Sequence, residues 1–179
     1  MKEKSDDHKF TVMAWIFCLV FALHELEEWN ILTWHQQHHE NFPPLTNLDI
    51  RTFLIFITIV FAAWTSISLI PKKTKIRAYL FLPAVALAVS NGVMHIFWLF
   101  SYGAYAPGVI FGGIAGVPLG AYIAWFSINK QLLPIWYVIV LGSLVVLSVF
   151  SAVRAGGNLD PQLLGLLGIA GEVARFLWN

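Results

Sequence analysis

The sequence predicts an all-α membrane protein: a polytopic transmembrane helix bundle of five spans, plus a C-terminal helix long enough to be a sixth. Three observations carry this. Hydrophobic residues make up 58% of the chain and charged residues 12%, and the mean hydropathy of +0.71 lies far from that of soluble domains. Five apolar runs recur, each near the roughly 20 residues that a bilayer core requires. The connections between them are too short for a second domain, so 1–179 reads as a single transmembrane domain. A net charge of +1 gives a nucleic-acid partner no footing, and a single cysteine, Cys18, excludes an internal disulfide.

Segment one runs from about Phe10 to Trp34. Lys2, Lys4 and Lys9 precede it as they would a signal peptide, but the apolar run ends in His24-Glu25-Leu26-Glu27-Glu28 and not in a small-residue cleavage site, so the segment is expected to be retained. Segment two spans Arg51 to Ile70 and is closed by Pro71, and segment three spans Arg77 to Phe100 with Pro83, Asn91 and His95 inside it. Segment four covers Pro107 to Ile128, is rich in glycine, and is expected to kink at Pro118. Segment five covers Leu132 to Val153. Leu159 to Trp178 is long enough to span, but Glu172 and Arg175 interrupt it, so a short helix tucked against the bundle fits as well as a sixth span.

Lys72, Lys73, Lys75 and Arg77 crowd one connection and mark it as cytoplasmic, which puts the N-terminus and Lys130 on the same side and leaves Arg51, Arg154 and Arg175 opposite. The expected location is the cytoplasmic membrane with the N-terminus inside. At 1.5 Å per residue, His24 then lies about 15 Å below the outer end of segment one, and His95 about 9 Å below the outer end of segment three. Two separate polar intrusions thus fall in the same half of the membrane.

On a helix, His24, Glu27 and Glu28 share one face, because i, i+3 and i+4 positions are neighbours, while Glu25 points elsewhere. The stripe continues to Ile31, His35, His38 and His39 if the helix persists. Asn91 and His95 form a second i, i+4 pair. A charged group at mid-membrane costs roughly 2.5 to 3.5 kcal/mol even on a lenient scale, so three carboxylates must be protonated, paired or bound to a cation. Carboxylate, imidazole and an Asn carbonyl suit a divalent metal, zinc or iron first, which makes His24, Glu27, Glu28, Asn91 and His95 the candidate ligands. His24 to Glu28 also approximates two zinc-peptidase signatures, H-E-x-x-H with Glu28 in place of the second His and H-x-x-E-H with Glu28 in the last place. His35, His38 and His39 read as an interfacial polar run, and Glu172 with Arg175 as a local ion pair. Gly108, Gly112, Gly116 and Gly120, extended by Ala124, form a small-residue row that admits a close neighbour, and Ala84, Ala88 and Gly92 give segment three a similar one.

His24-x-x-Glu27-Glu28, Asn91-x-x-x-His95 and Tyr105-x-Pro107-Gly108 follow one another in this order. With them the chain resembles the HXXEE family of integral membrane proteins, marked by HxxEE, NxxxH and YxPG, from segment one to the start of segment four. The resemblance implies a small polytopic protein with a functional polar centre and implies no reaction. It favours Glu27 and Glu28 over Glu25 as the working carboxylates.

The leading expectation is a membrane enzyme, a metal-dependent hydrolase or oxidase, acting on a lipid-like apolar substrate. In it Glu27, Glu28 and Tyr105 are the catalytic candidates, with Tyr105 near the site entrance. A metal-free isomerase or cyclase using Glu27 and Glu28 as acid and base is the first alternative. A small proton- or cation-coupled transporter is the second, although no inverted repeat is visible. The implied partners are membrane lipids and the apolar substrate; homo-oligomerisation is left open.

Overall fold

The computed structural model describes residues 2–39 and 44–154, with side chains from residue 5 onward. The sixth-span question, with Glu172 and Arg175, lies outside the described residues.

The described chain is helical throughout. Its elements are α1 (Lys2–Glu27), α2 (Ile31–His38), α3 (Asn47–Ser68), α4 (Thr74–Tyr102), a π-helical segment (Val109–Gly116), α5 (Val117–Asn129) and α6 (Ile135–Arg154). Five helical stretches are long and apolar enough to cross a membrane: Ser5–Glu27, Asn47–Ser68, Thr74–Tyr102, Val109–Asn129 and Ile135–Arg154.

Local chemistry explains where the structure departs from the expected boundaries. Segment one is not one helix to Trp34: α1 stops at Glu27, a turn covers Glu28 to Asn30, and α2 follows. The turn is tightened by i, i+3 bonds from Trp29 N to Leu26 O and from Ile31 N to Glu28 O. Arg51 stabilises the break from α3, donating to Trp29 O at 3.3 Å and to Asn30 Oδ1 at 2.7 Å while its guanidinium lies over the Trp29 ring. The apolar run of segment two hides the true start of α3, four residues earlier, where Thr46 and Asp49 form a reciprocal capping box.

Segment four also differs. Instead of a kink at Pro118, the chain winds as a π-helix to Gly116, and Pro118 falls in the first turn of α5, where a missing N–H disturbs least. The glycine row does admit close neighbours. A Cβ on Gly92 of α4 would lie 2.3 Å from the Gly112 carbonyl oxygen, and one on Gly120 would meet Val89 at 2.5 Å. Backbone therefore packs on backbone where α4 meets the π-helical segment.

At one end of the bundle, Asp7 pairs with Arg77 at 2.7 Å and Asp6 with Lys130 at 3.0 Å. The start of α1, the start of α4 and the end of α5 thus share one side, as the charge map anticipates. Beyond them Phe10, Phe17, Phe61, Phe81 and Ile123 form the main apolar core, with Phe21 and Phe61 stacked at 4.1 Å. The α6 helix has no buried residue, and it leans on α4 through a hydrogen bond from the Tyr137 hydroxyl to Tyr79 O. The polar site lies past the phenylalanines.

Candidate metal centre

The last turn of α1 supplies His24 and the residue just after it supplies Glu28; α4 supplies His95. All three side chains are buried, and one donor atom from each lies within 4.8 Å of the others. Glu28 Oε1 is 3.5 Å from His24 Nε2 and 2.6 Å from His95 Nε2. The two imidazoles meet edge to face at 4.9 Å.

His24 has a defined orientation. Its Nδ1 lies 3.1 Å from the Gly108 carbonyl oxygen, an acceptor only, so Nδ1 carries the proton and donates. Nε2 is then a lone pair, and it faces Glu28, with the Asn91 amide donating to it at 2.7 Å. Metal-ligating histidines are held in this way, one nitrogen fixed by a carbonyl and the other free to ligate. Gly108 and Gly112 make the fit possible. A Cβ on Gly108, which sits at φ 92°, would come within 2.7 Å of both His24 and His95, and one on Gly112 would lie 2.5 Å from His24 Nδ1.

His95 is only 1% exposed, yet neither ring nitrogen makes a hydrogen bond among the described residues. Its contact with Glu28 is close without hydrogen-bond alignment. Zinc bonds of about 2.0 to 2.2 Å set ligand atoms roughly 3 to 3.5 Å apart, a spacing His24 Nε2 and Glu28 Oε1 already have at 3.5 Å, and a donor atom of His95 lies within 4.8 Å of both. The residues therefore fit a divalent cation bound by two imidazoles and one carboxylate.

Glu27 has a different setting. Its carboxylate accepts from the Ile110 and Phe111 amides at 3.1 and 2.9 Å and from the Tyr105 hydroxyl. Those amides belong to the first turn of the π-helical segment, whose own N-cap, Gly108, has no side chain to offer. Glu27 is thus a cap lent by another helix. Tyr105, half exposed in the connection, has its hydroxyl pushed up to about 12, by burial first and then by its bond to Glu27.

The expectation that Glu25 points away is corrected. It is 5% exposed, and its Oε1 reaches within 4.0 Å of His24 Nε2. The π-helical segment, α3 and α4 all pack on α1, so the flank next to the His24 face is covered too. The long glutamate side chain then turns toward the polar centre. The break after Glu27 also redirects the expected histidine stripe. His35 and His39 are buried beside Trp34 and Trp98, and Trp98 touches His95 edge to face at 4.9 Å. This aromatic and histidine cluster escaped the sequence reading. Only the i, i+4 spacing of Trp34 and His38, and of Trp98 and Tyr102, hinted at it.

Comparison with known protein families matches residues 15–123 to the family described as "Protein of unknown function with HXXEE motif". The chain belongs to the HXXEE family. The matched stretch runs from α1 into α5 and holds His24, Glu27 and Glu28 of the HXXEE motif together with Asn91, His95 and Gly108, so the whole of this centre falls within it. No match is found among curated proteins or among solved structures.

Proposed function

We propose that this HXXEE protein is a metal-dependent membrane enzyme acting on a lipophilic substrate, with hydrolysis of a lipid-like ester or amide as the first reading and oxidation as its variant. The observation that carries it is the convergence of His24, Glu28 and His95 donor atoms within 4.8 Å in a buried setting, with His24 Nδ1 already bound to Gly108. Two histidines and one carboxylate are a donor set shared by catalytic zinc sites and non-haem iron sites, both of which keep positions open. A divalent cation held there supplies Lewis acidity toward water or a carbonyl oxygen.

The chain's own residues have the following parts. His24 Nε2, Glu28 and His95 Nε2 hold the cation. Asn91, whose amide lies 2.7 Å from His24 Nε2, would orient that ligand beside a bound cation. Glu25, 4.0 Å from that nitrogen, is the spare carboxylate beside the centre and the group placed to accept a proton from water. Glu27 and Tyr105 act from a distance by fixing the turn that carries Gly108. The basic end faces the cytoplasm by the positive-inside rule, which puts the reaction in the outer half of the bilayer. The phenylalanine core between the site and the basic end argues for an enzyme over a transporter.

The 2.6 Å approach of Glu28 Oε1 to His95 Nε2 favours a second reading, a metal-free acid–base isomerase or cyclase in which Glu28 carries the proton and His95 is the buried imidazole beside it. Anomalous scattering from crystals, recorded at the zinc and iron edges, separates the readings. A peak bounded by His24, Glu28 and His95 supports the first, and its absence after growth with both metals supports the second.

A further inference from the structure

Next to the candidate centre lies a group of side chains that metal binding does not use. Trp34 of α2 and Trp98 of α4 are each 7% exposed, with ring centroids 5.2 Å apart. His39, at the C-terminal cap of α2, is 6% exposed and lies 5.9 Å from Trp34 and 6.3 Å from Trp98. Trp34 Nε1, Trp98 Nε1 and His39 Nε2 are all buried without a hydrogen-bond partner among the described residues.

The chemistry of this cluster is one-sided. An indole N–H only donates, so neither tryptophan can satisfy the other. His39 Nδ1 lies 3.5 Å from the Tyr102 hydroxyl, and when that hydroxyl donates to it, Nε2 carries the proton and becomes a third donor. Buried donors are almost always paired, so three in one cluster mark an acceptor that the described residues do not supply. The cluster abuts the candidate centre directly, through the 4.9 Å edge contact between Trp98 and His95.

We propose that Trp34, Trp98 and His39 form a subsite for an acyl oxygen, the carbonyl or carboxylate oxygen of a lipid chain. The donors are neutral and enclosed by aromatic rings, a setting that suits an oxygen acceptor attached to an apolar body and not a free, strongly hydrated anion. The proposal deepens the enzymatic reading by naming the substrate class, and it rests on that reading only for what happens after binding.

The test uses full-length protein in detergent micelles, treated with chelator so that binding is read without metal. Indole 15N–1H resonances of Trp34 and Trp98 are identified by their loss in Trp34→Phe and Trp98→Phe. Oleate, methyl oleate and 1-octadecene are then titrated. The two indole resonances are expected to move downfield and saturate with oleate, methyl oleate or both, and to stay put with octadecene, which has the chain but no oxygen. Each Phe variant is expected to weaken binding roughly five- to tenfold, the loss of one hydrogen bond. Response to oleate alone assigns a carboxylate, and response to methyl oleate assigns a carbonyl. Resonances that move equally with octadecene, or with none of the three, overturn the subsite, whatever the variants do. A saturating indole response in a protein that never binds metal keeps the subsite and removes the metal reading; a metal-loaded protein with silent indoles does the reverse.

Discussion

The Nδ1 of His24 and the carbonyl oxygen of Gly108 lie 3.1 Å apart, and this contact decides which imidazole nitrogen faces the centre of the bundle. It ties the end of α1 to the turn before the π-helical segment, residues 84 positions apart in sequence. The orientation of a candidate ligand and the packing of two spans are therefore the same event.

Gly112→Ala is the sharpest probe of that event. Its Cβ would lie 2.5 Å from His24 Nδ1 and 2.6 Å from Cε1, so the imidazole must move. Overpacking of this kind costs about 1 to 3 kcal/mol. The expected outcome is a lower unfolding temperature together with weakened metal binding. Gly142→Ala, where an added Cβ meets nothing within 4 Å, is the control and should change neither.

Glu27 and Glu28 are neighbours in sequence with different partners, and on the proposed reading paired substitutions should act differently. Glu27→Gln removes a charge that caps the Ile110 and Phe111 amides. It should cost stability by about 0.5 to 2 kcal/mol, as loss of a cap does, while leaving metal content intact. Glu28→Gln should abolish metal content. Equal metal loss in both variants would show that Glu27 ligates as well.

Asn91→Leu removes the amide that contacts His24 Nε2 at 2.7 Å but leaves the His24, Glu28 and His95 donors in place. Loss of such a supporting group typically lowers metal affinity about 10- to 100-fold without abolishing it. Competitive chelator titration measures the change, and an unchanged affinity would remove Asn91 from the centre.

Tyr105 gives a pH signature. Its hydroxyl ionises near 10 when unfolded and near 12 in the fold, where burial and then the bond to Glu27 hold the proton on. A raised folded value adds stability that is present in full below the unfolded value and is lost as pH rises through the folded one. The fold should therefore weaken between about pH 10 and pH 12. Tyr105→Phe should flatten that part of a stability-against-pH profile. A profile of unchanged slope would contradict the assignment.

Much of this was legible in the sequence because lipid imposes strict rules. Apolar runs of bilayer length revealed five spans, and basic residues grouped the start of α1, the start of α4 and the end of α5 on one side. The i, i+4 spacing of His24 with Glu28 and of Asn91 with His95 put these candidates on faces that meet in the fold. Helical periodicity assumes a continuous helix, and there the reading ran out. The break at Glu28 to Asn30 depends on Arg51 of another span, and the π-helical winding depends on glycine backbones packed against α4. Glu27 was read as a ligand because its spacing allowed it, but its carboxylate is drawn to amides 83 and 84 residues away. Glu25 was set aside for pointing off the face, yet a buried flank and a long side chain bring it back.

The central claim is that His24, Glu28 and His95 hold a divalent cation, and elemental analysis of the purified full-length protein beside its His95→Ala variant tests it most directly. The account predicts stoichiometric zinc or iron in the first, none in the second, and a lower unfolding temperature for the first after chelation. Wild-type protein that carries no stoichiometric metal after exposure to both, and whose stability chelators leave unchanged, would contradict it.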